Sequence, residues 1–131
     1  MQVEIFTLCD AATIDHGKMN LLGTFDTLNF LDFPDESPNF AVAARVRFRP
    51  DQAGEHELHV GWFDSDGEEI ERSESEFFIV DLVDGFEVAN MIWPVYGKTF
   101  HEPDELMLRL FVDGRPVADV PLHVRHYDEG E

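Results

Sequence analysis

VAARVRFR, residues 42–49, decides the fold. Val42, Ala44, Val46 and Phe48 fall on one side of an extended chain, and Ala43, Arg45, Arg47 and Arg49 on the other. That is the period-two signature of a strand with one buried face. Residues 56–63 repeat it, with His56, Leu58, Val60 and Trp62 on a common side. Between the two runs, Pro50-Asp51-Gln52-Ala53-Gly54 has the length of a hairpin loop. The expected register sets Arg49 opposite Glu55, Arg47 opposite Glu57 and Arg45 opposite His59, and brings Val46 to Leu58 and Val42 to Trp62. A slip would turn the arginines into the core, so the pattern enforces its own register. The arginine stripe reads as cross-strand ion pairing on a solvated face, at ~0.2–1 kcal/mol per pair, in preference to an anion site.

The rest of the chain follows the same period. Residues 2–9 and 19–30 read as strands around an Asp15-His16-Gly17-Lys18 turn, and Gly23 marks a bulge or a close approach. Residues 31–39, with two prolines, form a crossing loop. Strands at 76–82 and 86–93 flank Val83-Asp84-Gly85, and strands at 105–112 and 115–125 flank Asp113-Gly114. No window has the 3.6-residue period of an amphipathic helix. About eight or nine short strands at this spacing predict an all-β protein, a single-domain antiparallel β-sandwich over residues 1–126 with an acidic tail at 127–131. A closed barrel is the competing architecture.

Nine basic residues face 28 acidic ones, a formal charge of −19. A surface of that sign repels nucleic-acid phosphates and anionic lipid, and it suits a basic protein partner, a divalent cation or a high-salt cytoplasm, among which charge alone does not choose. The apolar fraction of 44%, with twelve phenylalanines, is enough for a packed interior. Cys9 is the single cysteine, so no internal disulfide forms. The N-terminal residues lack the pattern of a signal peptide and no long apolar run spans a membrane, so the expectation is a cytoplasmic protein.

WFDSDGEEI, residues 62–70, invites a calcium loop. Counted from Asp64, an EF-hand requires Gly at position six and Glu at position twelve, where this chain has Glu69 and Ser75, and the flanks read as strands. Asp-Gly turn chemistry explains Asp66-Gly67, Asp84-Gly85 and Asp113-Gly114 alike. A weaker rim site using Asp64, Asp66, Glu68 and Glu69 with Asp32, Asp35 and Glu36 stays open as the minor alternative. His56/His59 and His123/His126 form H-x-x-H pairs, but on strands such pairs point to opposite faces, so no metal is expected. Cys9 has no activating neighbour and reads as a buried strand residue. The four serines lie in polar turns, and glycine-rich phosphate loops are absent. No catalytic residue and no cofactor are expected.

Trp62, Trp93, Tyr96 and Phe100 could line a sugar or peptide groove. Trp93-Pro94-Val95-Tyr96-Gly97 leaves a strand for a loop, which makes Trp93 and Tyr96 the candidate ligand-binding residues.

VEIFTLCDAATIDHGKMNLLGTFDTL, then AVAARVRF, GEHEL with DSDG, and LMLRLFVDGRPVADVPLHVR resemble a family of short bacterial proteins carrying a domain of unknown function. The resemblance covers nearly the whole chain and implies an all-β fold, with no catalytic or ligand residues to carry over. Two functions are expected. The first is a non-enzymatic interaction or accessory module, self-associating through an exposed strand edge as a homodimer. The alternative is a small-ligand or carbohydrate binding module using Trp93, Tyr96 and acidic loops, with or without calcium.

Overall fold

The computed structural model describes residues 1–81 and 87–127. Alternating side chains build two facing sheets. The first has the order β2-β1-β5-β9, from β1 (Gln2–Asp15), β2 (Lys18–Phe25), β5 (Phe40–Phe48) and β9 (Glu87–Val95). The second runs β3-β12-β11-β6-β7, from β3 (Thr27–Phe30), β12 (Arg115–His126), β11 (Asp104–Val112), β6 (Gly54–Phe63) and β7 (Glu69–Arg72). β8 (Glu76–Val80) also pairs with β6. It takes the edge shared with β7, because β11 and Asp113 occupy the other side of β6. A small ribbon of β4 (Asp35–Glu36) and β10 (Thr99–Phe100) completes the set. Among the described residues the pairings are antiparallel except that of β12 with β3. Eight of the twelve described strands have five or more residues, so the expected all-β, single-domain sandwich is the fold found.

The core lies between the sheets. Leu8, Val42, Val46 and Phe48 meet Leu58, Val60, Leu108, Leu110, Leu122 and Val124, all at most 1% exposed. Fully burying each such side chain stabilises by about 1.5–3 kcal/mol.

The expected hairpin between residues 42–49 and 56–63 does not form. β5 pairs with β1 and β9, β6 pairs with β11, β7 and β8, and the two face each other from opposite sheets. The short 3-10 turn Pro50–Gln52 carries the chain across the sandwich. Alternation reports which face of a strand is buried and is silent on its neighbour, so one pattern satisfies both arrangements. The arginines find other partners. Arg45 and Arg47 both bind Glu4 of β1, at 3.0 and 2.9 Å, and Arg49 binds Asp51 at 3.0 Å. Arg47, then Arg45, hold the Glu4 carboxyl below its usual pKa. The expected single strand over 19–30 is also divided: its first part lies in the first sheet and its last four residues in the second.

His16 and Gly17, with φ of 51° and 74°, make the β1–β2 turn, and Asp113 and Gly114, at 53° and 77°, make the β11–β12 turn. Both pairs have the positive φ at two central residues that short hairpins require. β8 and β9, on either side of Asp84-Gly85, lie in different sheets, and that dipeptide itself lies outside the described residues.

The far half of the β1–β2 hairpin folds back onto the outer face of the first sheet. The Gly17 carbonyl accepts hydrogen bonds from Arg45 Nη1 and Asn90 Nδ2, at 3.5 and 3.3 Å, two and three strands away from β2. Beneath this arm, Ala12, Met19 and Leu21 cover Cys9, Ala41 and Ala43. Gly23 is the expected close approach: its φ is 67°, and a Cβ there would sit 2.3 Å from Asp10 Oδ2. At the other terminus the Tyr127 amide donates to the Phe30 carbonyl at 2.7 Å, so Tyr127 is tied to β3, and residues 128–131 of the expected tail lie outside the described residues.

Candidate ligand-binding site

The two sheets part on the side where β7 and β9 are edge strands, and a cavity of about 270 Å³ opens between them. Val42 and Val60 line its inner wall, Trp93, Pro94, Val95 and Tyr96 the β9 side, and Trp62, Glu71, Arg72 and Ser73 the β6–β7 side, with Lys98 at the rim. Trp93 and Tyr96, separated from Trp62 by some thirty residues of chain, thus meet it in one pocket.

Local structure fixes each wall. β9 runs through Val95, so Trp93 points inward, 6% exposed, and donates its indole N–H to the Glu74 carbonyl at 3.3 Å. Of the two candidate ligand-binding aromatics, Tyr96 is exposed, at 76%, whereas the position of Trp93 in β9 places it on the core face. Gly97, φ 54°, turns the chain out of the strand beside Glu36. Lys98 is then held by buried Ser37: the Ser37 amide donates to the Lys98 carbonyl at 2.8 Å, and the Lys98 amide donates to Ser37 Oγ at 3.1 Å. That seats Lys98 Nζ over the Trp62 ring, 4.7 Å from its centre, and in an ion pair with Glu71. A cation over an indole face contributes about 0.5–2 kcal/mol. Ser73 Oγ donates to the Glu74 carbonyl and accepts from the Val60 amide. Arg72 pairs with Glu69 at 2.9 Å. Phe100, the fourth groove candidate, packs instead on Phe30 with ring centres 5.7 Å apart.

Both cations at the pocket are therefore neutralised by carboxylates, and the Trp93 indole and Ser73 hydroxyl donors are occupied by the Glu74 carbonyl. What remains toward solvent is the broad ring and hydroxyl of Tyr96 and a charged rim of Lys98 and Glu71, a surface that stacks and hydrogen-bonds.

A second cavity, about 360 Å³, lies by Phe48, His56, Asp113 and Arg115. His56 Nδ1 is 2.6 Å from Asp113 Oδ2 and Nε2 is 2.7 Å from the Gln52 carbonyl. Burial disfavours its charge, but the Gln52 carbonyl and the Asp113 carboxylate outweigh that and raise its pKa. Asp113 is lowered despite its own burial, by His56 and the Glu57 amide. With both ring nitrogens occupied, His56 is a clip between the crossing turn and the β11–β12 turn. Sequence reasoning missed it, because 57 residues separate the partners.

His59, on the opposite face of β6 as expected, stacks on Phe111 at 4.7 Å, and neither ring nitrogen has a hydrogen-bond partner among the described residues. Burial, then the Arg72 charge, lower its pKa. The thiol of buried Cys9 is raised by desolvation and then by Asp10, which disfavours the thiolate a nucleophile needs. In the DSDG loop, Asp64 Oδ1 accepts the amides of Asp66 and Glu68, both at 2.9 Å, which is turn chemistry. Among the described residues no group of three or more His, Cys, Asp or Glu side chains is placed to hold a metal ion, and no helix is long and apolar enough to cross a membrane.

Among solved structures, the chain resembles two crystal structures of a beta-glucosidase from Listeria innocua, one in complex with isofagomine, with TM-scores of 0.55 and 0.54 and 15% identity. The match covers 95% of this chain and 16% of the glucosidase, so the likeness is one of fold, to a small part of a much longer protein. Curated proteins provide no match. Residues 4–125 match the sequence profile of DUF6941, a family of unknown function, and the chain belongs to that family.

Proposed function

We propose that this protein is a non-catalytic binding module whose pocket between β7 and β9 takes a single neutral sugar ring. The observation that carries the reading is the convergence of Trp62, Trp93 and Tyr96 on one cavity with a Lys98–Glu71 pair at its rim. A volume of 270 Å³ falls just below the ~300 Å³ at which clefts for drug-sized ligands begin, which suits one ring and excludes an extended chain from full burial. Tyr96 is the stacking platform, since its ring is exposed and Lys98 already occupies the face of Trp62. Ammonium donors and carboxylate acceptors side by side match vicinal hydroxyls, which both donate and accept. Neutralised cations favour an uncharged ligand over an anion in a molecule of charge −19. Two of the described lining residues support binding over catalysis: the Ser73 hydroxyl is bonded to backbone on both sides, and the Glu71 carboxylate is held by Lys98.

Calorimetric titration with a panel of neutral monosaccharides and methyl glycosides tests this. At least one is expected to bind at about millimolar strength, near −4 kcal/mol, and Tyr96→Ala to abolish that binding with the melting temperature unchanged. Binding undiminished in Tyr96→Ala, or absent across the panel, would overturn the reading.

A further inference from the structure

We propose that the free edge of β8 is a docking strand for an extended basic segment of another protein, taken up by strand addition. This surface is separate from the pocket: β8 pairs with residues 54–58 of β6, and β7, at the pocket, with residues 61–63.

β8 alternates cleanly. Phe78 and Val80 face inward, Phe78 stacking on Phe48 at 6.1 Å and Val80 2% exposed. Phe77 and Ile79 face out, 60% and 67% exposed. Soluble proteins protect sheet edges with charged or proline side chains on the edge strand, or cover them. The outward side chains of β8 are instead large and apolar, and its backbone pairs with β6 on one side and with no other strand among the described residues. Such an edge supplies main-chain hydrogen bonds for affinity and alternate side-chain positions for specificity.

Charge selects the occupant. Glu57 lies opposite Phe77 and Glu55 opposite Ile79 on β6, while Glu76 and Asp81 stand at the two ends of the strand. Cross-strand neighbours share a face, so on an added strand Lys or Arg in register with Phe77 and Ile79 would lie on the face that carries Glu57 and Glu55, laying their aliphatic stems along Phe77 and Ile79. Apolar residues between them continue the face of Phe78 and Val80, and the four carboxylates together favour such a cationic strand. A second copy of this chain would bring the same four against them, in a molecule already at −19, and like charges placed together across strands are destabilising. The partner is therefore a basic segment, and a homodimer through this edge is disfavoured.

The probe is a ten-residue peptide of alternating valine and lysine. Its controls are a valine/glutamate counterpart and a valine/lysine version with proline at two central positions. The expected results are binding of the first peptide alone, and slowed hydrogen exchange of the amides of residues 76–80 in the complex. Phe77→Thr with Ile79→Thr, which keeps strand propensity, should weaken binding at least tenfold, about 1.4 kcal/mol. Equal binding of the proline peptide would show mere charge attraction and overturn the proposal, as would unchanged exchange at residues 76–80 in the native protein. A sedimentation dimer of the native chain that Ile79→Thr dissociates would overturn it in favour of a second copy.

Discussion

Two histidines three residues apart on β6 give opposite pH behaviour. His56 has a raised pKa in the folded protein, so its contribution is fully present below the ordinary value of 6.5 and is lost as pH rises through the folded value. His56→Gln should therefore lower the melting temperature most below pH 6.5, with the difference narrowing above it. Losing the His56–Asp113 bond should cost about 0.5–1.5 kcal/mol, since Asp113 is half exposed and keeps the Glu57 amide. His59 has a lowered pKa, so the fold prefers it neutral, and stability falls as pH drops below 6.5 toward the folded value. His59→Leu removes two buried, unpartnered nitrogens and should stabilise by about 1 kcal/mol or more, with the gain growing toward pH 5. Melting curves from pH 5 to 8, with both variants beside the native chain, check both slopes. That the two rings point to opposite faces was legible from their spacing on a strand. Their surroundings were not, because Asp113 and Phe111 reach them across a strand pairing between distant segments.

At the scale of elements, the β1–β2 arm yields a sharp test. Met19 and Leu21 lie over Cys9, which is 0% exposed. Met19→Ser with Leu21→Ser should loosen the arm and speed modification of Cys9 by a thiol reagent about tenfold or more, with the melting temperature falling by less than the core's own loss would demand. Equal labelling rates would show that the arm does not cover this thiol. Most of the longer strands and the turns at Gly17 and Gly114 were readable from local pattern, whereas the run of β1 on to Asp15, the break between β2 and β3, and β4 inside the expected loop at 31–39 were not. The pairing of β5 with β6 was misread, because Arg47 had an equally good acidic partner in Glu57 and in Glu4. The arm was hidden for a related reason. Cys9, Ala41 and Ala43 occupy the face that also carries arginines, and small residues there reveal only in three dimensions that something lies above them.

For the molecule as a whole, acidic residues outnumber lysines and arginines 28 to nine, and among the described residues seven of those nine cations are already in ion pairs, so most carboxylates go without an offsetting charge. Self-repulsion of this kind weakens the compact state and is screened by salt. Raising sodium chloride from about 10 mM to about 1 M, which shortens the screening length from ~30 to ~3 Å, should raise the melting temperature by several degrees; a flat or falling curve would show that surface repulsion is not limiting. The candidate pocket is also a property of the whole molecule, since its walls come from both sheets. Trp93 and Tyr96 could be singled out from one stretch of sequence, whereas Trp62, Lys98 and Glu71 join them only through the sandwich. The most direct test of the binding account is an amide and indole NMR titration with neutral monosaccharides. The account predicts shifts gathered at the Trp93 indole N–H, Tyr96, Lys98 and Ser73, while shifts scattered over the surface, or none at these four residues, would contradict it.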